Sequence, residues 1–188
     1  MDVVSHATWG YLSLRRAKPE LAKWGALAGA APDMLYFIPF ALERSLRDGT
    51  FQKFPTGLSF VLPRMRYAPG IWRENGPPMP QELVDAYHSY YVYTHSLVIL
   101  GLAVGALWLL RRRRRLLWLT IPYALHILMD IPTHERYLTP FLYPISMWTF
   151  KGISWGHPWI FWPNWIALAG TGVWLYWKSK MSTFPDKI

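Results

Sequence analysis

The chain has 188 residues, which suits one domain over residues 1–188 with enough material for a substantial core. Hydrophobic residues make up 52% and aromatics 17%, with 12 Trp and 11 Tyr, well above ordinary soluble usage. The absence of cysteine excludes disulfides, thiolate metal sites and cysteine nucleophiles, and it leaves the redox compartment open.

Residues 3–14 are apolar but short, and no basic stretch precedes them as in a signal peptide, so they read as a short membrane helix. Arg15, Arg16, Lys18 and Lys23 surround a turn near Pro19. Residues 24–42 are apolar for about the ~20 residues that a bilayer span needs. Residues 43–90 carry Pro55, Pro63, Pro69, Pro77, Pro78 and Pro80, and read as a long extramembrane loop. A second span is predicted over 91–110, then the basic run Arg111 to Arg115. A shorter apolar segment, 116–131, carries His126 and Asp130. Residues 133–158 form another loop, and 159–177 a last span followed by Lys178 and Lys180.

The pattern predicts an all-α fold, a polytopic integral membrane bundle of about five helices, the first one short. The formal charge of +9 does not point to nucleic acid, because five of the 20 basic residues sit in one run between apolar segments. Such a run is a topology signal. With the N-terminus outside, the three basic groups fall on the cytoplasmic side, as the positive-inside rule prefers. Tyr87, Tyr90, Tyr91 and Tyr93, then Trp155, Trp159 and Trp162, fall where interfacial aromatic belts would lie. The expected partners are membrane lipids.

Ionisable groups within such segments are costly, and their default reading is functional. If the first two helices turn near Pro19, residues equidistant from the turn lie level, which pairs His6 with Asp33. A turn at Arg113 brings His95 level with position 131, beside Asp130 and about one helical turn from His126. Both turns are basic, so the two hairpins place His6, Asp33, His95, His126 and Asp130 at a similar depth, toward the extracytoplasmic side. His126 and Asp130 are four apart and share one helix face, a spacing that suits two ligands of one ion. Imidazole with carboxylate fits zinc, manganese or iron better than calcium. Pro132 is expected to kink or end that helix, which sets His134 over the mouth of the site. The bland readings are a buried His126–Asp130 hydrogen bond that fixes packing and a helix-ending turn at Asp33. His134 and Glu135 divide between solvated loop residues and a further ligand or general base.

These residues resemble the family of membrane-bound, metal-dependent hydrolases that includes the YdjM-like inner-membrane proteins. The resemblance rests on SHATWGYL, GALAGAAPD, YTHSLVI and HILMD followed by TP and YP, in an order that covers most of the chain. It implies that His6, Asp33, His95, His126 and Asp130 bind metal, and that the protein lies in a bacterial inner membrane. The family often has His-Arg-Gly before Thr-His-Ser; here the run is YHSYYVYTHS, with His88 seven residues before His95. The His-x-x-x-Asp pattern is also similar to that of zinc-dependent phospholipase C enzymes.

The expected function is membrane-bound metal-dependent hydrolysis of a phosphoester, on a lipid or other amphiphilic or phosphorylated substrate. One or two divalent ions, zinc before manganese or iron, would activate water, with His134 and Glu135 as the catalytic residues. The alternative is a non-catalytic membrane metal-binding or transport protein, and a third reading is a scaffold whose polar residues only lock helices together.

Overall fold

The computed structural model describes residues 1–47, 81, 85, 90–110, 115–135 and 138–181. Helix α1 (Val3–Arg15) starts at Asp2, whose carboxylate accepts from the Ser5 amide at 2.8 Å and so caps the first turn. A 3-10 turn over Pro19–Leu21 reverses the chain into α2 (Ala22–Arg47). Further along come the single turn α3 (Val92–Thr94) and α4 (Leu97–Leu109). Helix α5 (Leu117–Thr133) packs on α1 and α2, and α6 (Pro158–Met181) lies against α1. Trp9 Nε1 donates to the Asn164 side-chain oxygen at 2.8 Å, and the Asn164 amide donates to Ser5 Oγ at 2.9 Å, which ties α6 to α1.

Missing side chains hold α1 against α2. A Cβ on Gly10 would lie 2.3 Å from the Gly25 carbonyl oxygen, and one on Gly29 2.4 Å from the His6 oxygen. Backbone therefore touches backbone, which only glycine permits at these positions. This contact sets the register of the hairpin. The Cα of Gly10 would lie 3.1 Å from a Cβ on Gly29, and these two residues stand at equal distances from the turn near Pro19, as His6 and Asp33 do.

Helix α5 runs through Pro132 and stops at Thr133, with His134 in extended backbone. The break expected at Pro132 thus falls one residue later. The returning chain takes the free carbonyls: Ile153 donates to Pro132 O and Trp155 to Thr133 O, both at 2.9 Å, and Gly152 to His134 O at 3.0 Å. Gly152 permits this approach, since a Cβ there would lie 2.1 Å from the Pro132 oxygen.

The expected membrane helices are not found. Among the described residues, no helix is both long and apolar enough to cross a membrane. Helices α1 and α4 have 13 residues each and α5 has 17. At ~1.5 Å per residue they reach roughly 20–25 Å, against a hydrocarbon core of about 30 Å. The run over 91–110 is split because Ser96 Oγ accepts from the Val98 and Ile99 amides, both at 3.1 Å, and caps a new helix. Helix α2 is long enough at 26 residues but carries Pro32, Asp33 and Pro39 within it. Helix α6, at 24 residues, contains Pro163 and Asn164 and is heavy in Trp, whose indole prefers an interface to hydrocarbon. Among the described residues the fold is therefore all-helical, and none of these helices is long and apolar enough for the polytopic membrane bundle that was expected. Among the described residues, the inner-membrane localisation, the orientation from basic turns and the lipid-level aromatic belts have no spanning helix to rest on.

The glycine contact makes a direct prediction. Gly29→Ala should destabilise the protein by ~1–3 kcal/mol or more through overpacking. Gly101→Ala, on α4 with nothing within 4 Å of the new Cβ, should stabilise it by roughly 0.5–1 kcal/mol. Denaturant unfolding of the two variants beside the parent checks the contrast, and equal effects would refute the packing account.

Candidate metal centre

Three elements supply the site. Asp33 follows Pro32 inside α2, so the Pro-Asp pair does not end that helix. His95 sits at the break between α3 and α4, and His126 and Asp130 lie one turn apart on α5. His95, His126 and Asp130 are wholly buried, and Asp33 is 7% exposed. The ligand atoms of these four residues lie within 4.8 Å of one another, close enough to hold a divalent metal ion.

The edges of the group fit an ion at its middle. His126 Nε2 is 3.2 Å from both His95 Nε2 and Asp130 Oδ2, and His95 Nε2 is 3.5 Å from Asp130 Oδ2. Asp33 Oδ1 is 3.8 Å from each of the two imidazole nitrogens. Ligands at ~2.0–2.1 Å in a tetrahedron stand roughly 3.3 Å apart. The donor set, two imidazoles and two carboxylates, suits zinc, manganese or iron.

Hydrogen bonding points the same way. His126 Nδ1 donates to the Gly29 carbonyl at 2.6 Å, and a carbonyl can only accept, so the proton sits on Nδ1. His126 Nε2 then offers a lone pair to the centre, where Asp130 Oδ2 is buried without a donor. Asp33 Oδ1 is a third acceptor. One proton on His95 Nε2 cannot satisfy all three, whereas a cation can.

Burial alone would lower the His95 pKa, but hydrogen bonds and charge from Asp130 and Asp33 outweigh it and raise the value. Burial would raise Asp33, yet the charge of His126 and the hydrogen bond of His95 hold it below the usual carboxylate range. Asp130 is likewise held well below that range, against its burial, by His134, the N-terminal ammonium, His6 and His126. Both carboxylates stay ionised while out of water.

Two further histidines lean on Asp130 from its other oxygen. His6 Nε2 lies 2.9 Å from Oδ1, and its ring stacks on His126 with centroids 3.5 Å apart. His6 is outside the four-residue group, and its Nδ1 is buried without a partner. The Met1 amino group also touches Oδ1. His134 Nδ1 donates to the Asp130 main-chain carbonyl at 3.0 Å and lies 3.6 Å from Oδ1, with 15% of its side chain exposed. Burial lowers His6 to about 3 and His134 to about 4, so both are neutral at pH 7. Glu135 is half-buried past the end of α5 and makes no hydrogen bond or ion pair with the cluster. His88 lies outside the described residues. His157 caps α6, where its Nδ1 accepts from the Trp159 amide at 3.3 Å.

Sequence reasoning did not single out Gly29, whose carbonyl orients His126, and it read Tyr91 as a belt aromatic, whereas its ring stacks on His95 with centroids 3.8 Å apart. Gly29 lies in the Gly-rich stretch before Asp33, but a backbone carbonyl leaves no signature in a sequence. No family model matches this chain, and no curated protein and no solved structure matches it either.

Because the raised His95 holds its proton more tightly than a free imidazole, an incoming ion must displace that proton. Zinc affinity should therefore weaken as pH falls below the raised His95 value, by about tenfold per pH unit while one proton is released per ion. Zinc titrations with a competing chelator between pH 6 and 8 check this, and a flat profile would contradict it.

Proposed function

We propose that this protein is a metal-dependent hydrolase that cleaves a phosphoester of an amphiphilic or phosphorylated substrate. The observation that supports the reading most is the convergence of three buried acceptors, Asp33, Asp130 and His126 Nε2, on His95 Nε2. The likeness of its motifs to metal-dependent hydrolases adds support. Asp33, His95, His126 and Asp130 would hold the ion, zinc before manganese or iron. A bound ion of this kind lowers the pKa of a water to about 7 and draws charge from a phosphoryl oxygen.

The residues around the ion have separable tasks. Asp33 is the most distant ligand and the one that retains exposure, so substrate would approach on its side. His134 is also partly exposed, beside Asp130. Its Nδ1 proton is committed to the Asp130 carbonyl, which leaves Nε2 bare to take a proton from the attacking water and return it to the leaving oxygen. Glu135 is the lesser candidate for that work, because it has no contact with the cluster.

The test begins with elemental analysis of purified protein, then a panel of nitrophenyl phosphoesters and phospholipids. His126→Ala and Asp130→Ala should lose zinc and hydrolysis together. His134→Gln should keep zinc and lower kcat by about 10²–10⁴-fold, and Glu135→Gln should have a far smaller effect. Hydrolysis that survives both His126→Ala and Asp130→Ala would rule out this site. Zinc uptake without hydrolysis of any ester would favour the non-catalytic metal-binding reading.

A further inference from the structure

Resting on the metal-centre reading above, we propose that Thr94 and Tyr91 are the positioning residues of His95, holding its Nε2 toward the metal. Thr94 sits between two partners. Its Oγ1 lies 3.2 Å from the Tyr91 carbonyl and 3.4 Å from the Tyr90 carbonyl, and both of these can only accept. The hydroxyl proton is therefore spent on a carbonyl. The same oxygen lies 2.9 Å from His95 Nδ1 and must act there as acceptor, so the imidazole carries its proton on Nδ1. The Tyr91 carbonyl, 3.2 Å from Nδ1, reinforces that choice. His95 then has one nitrogen left for an ion, Nε2, which faces His126 and both carboxylates.

Tyr91 sets the plane of the ring. Its phenol lies over the imidazole with centroids 3.8 Å apart and planes 17° from parallel. The Tyr91 hydroxyl is 3.0 Å from Thr139 Oγ1, and Tyr36 meets its ring edge-on at 5.5 Å. The platform under His95 is thus pinned to α2 and to the buried Thr139. Thr94 is pinned as well, since the Tyr123 hydroxyl of α5 donates to its main-chain carbonyl at 2.8 Å. Partners of this kind fix tautomer and ring orientation in metal sites, and losing one weakens metal binding by about 10–100-fold.

Thr94→Val removes only the hydroxyl, and Thr94→Ser keeps it. The experiment measures zinc affinity by chelator competition, the visible absorption of the cobalt-substituted protein, and the unfolding midpoint of chelated protein. Thr94→Val should bind zinc about 10–100-fold more weakly and alter the cobalt spectrum, with Thr94→Ser within about threefold of the parent. Tyr91→Phe should stay near the parent, and Tyr91→Leu should weaken binding like Thr94→Val. Unchanged affinity and spectrum in Thr94→Val would overturn the proposal and leave the metal centre standing. So would equal losses in Val and Ser variants, or losses that only track the unfolding midpoint. A parent protein that takes up no zinc or cobalt overturns both the proposal and the centre it rests on.

Discussion

Two carboxylates sit out of water among imidazoles, and the interior has to supply them with positive charge. An isolated buried carboxylate costs several kcal/mol even after relaxation, so Asp33 and Asp130 dictate what surrounds them. His126 cannot help by donating from Nε2, because its proton is committed to the Gly29 carbonyl. His95 can carry one proton into the group, and its raised pKa reflects that demand. A divalent ion answers the same demand more completely, by replacing that proton and facing all four ligand atoms.

The helix packing serves this cluster. Gly10, Gly25 and Gly29 let α1 and α2 approach until backbone meets backbone, and that approach aims the Gly29 carbonyl at His126. The same glycine therefore sets the hairpin register and the histidine tautomer. At the far end of α5, the chain over 152–155 takes the carbonyls that the helix leaves free, which fixes where the helix stops. His134 then folds back onto the Asp130 carbonyl. The rim beside Asp33 and His134 is the part of the cluster that solvent and a substrate would reach.

The level pairing inside each hairpin needs no bilayer, but setting the two hairpins at one depth rested on placing both basic turns on one membrane face. Hairpin geometry brings level residues together in any antiparallel pair of helices, with or without lipid around them. What brings Asp33 to His95, His126 and Asp130 is the packing of α2 on α5 and α3. The reading of 91–110 as one span failed at Ser96, where a side-chain cap starts a new helix inside an apolar run. Apolar content alone could not reveal that cap. The amphiphilic-substrate expectation drew on membrane depth, and no described helix is long and apolar enough to span a membrane.

What the sequence determined by itself was the residue chemistry and the spacing within one helix. His126 and Asp130, four apart, had to share a face of α5, because that spacing is a property of the helix. The four buried ligand residues were all legible as polar groups in apolar segments, where their cost demands a reason. Only the tertiary structure decided which of the neighbouring histidines joins the group. His6 stacks on His126 and reaches Asp130 Oδ1, outside the four-residue group. Tautomer, ring plane and exposure were decided there too, since they depend on backbone carbonyls and on rings from other helices, which residue spacing does not encode.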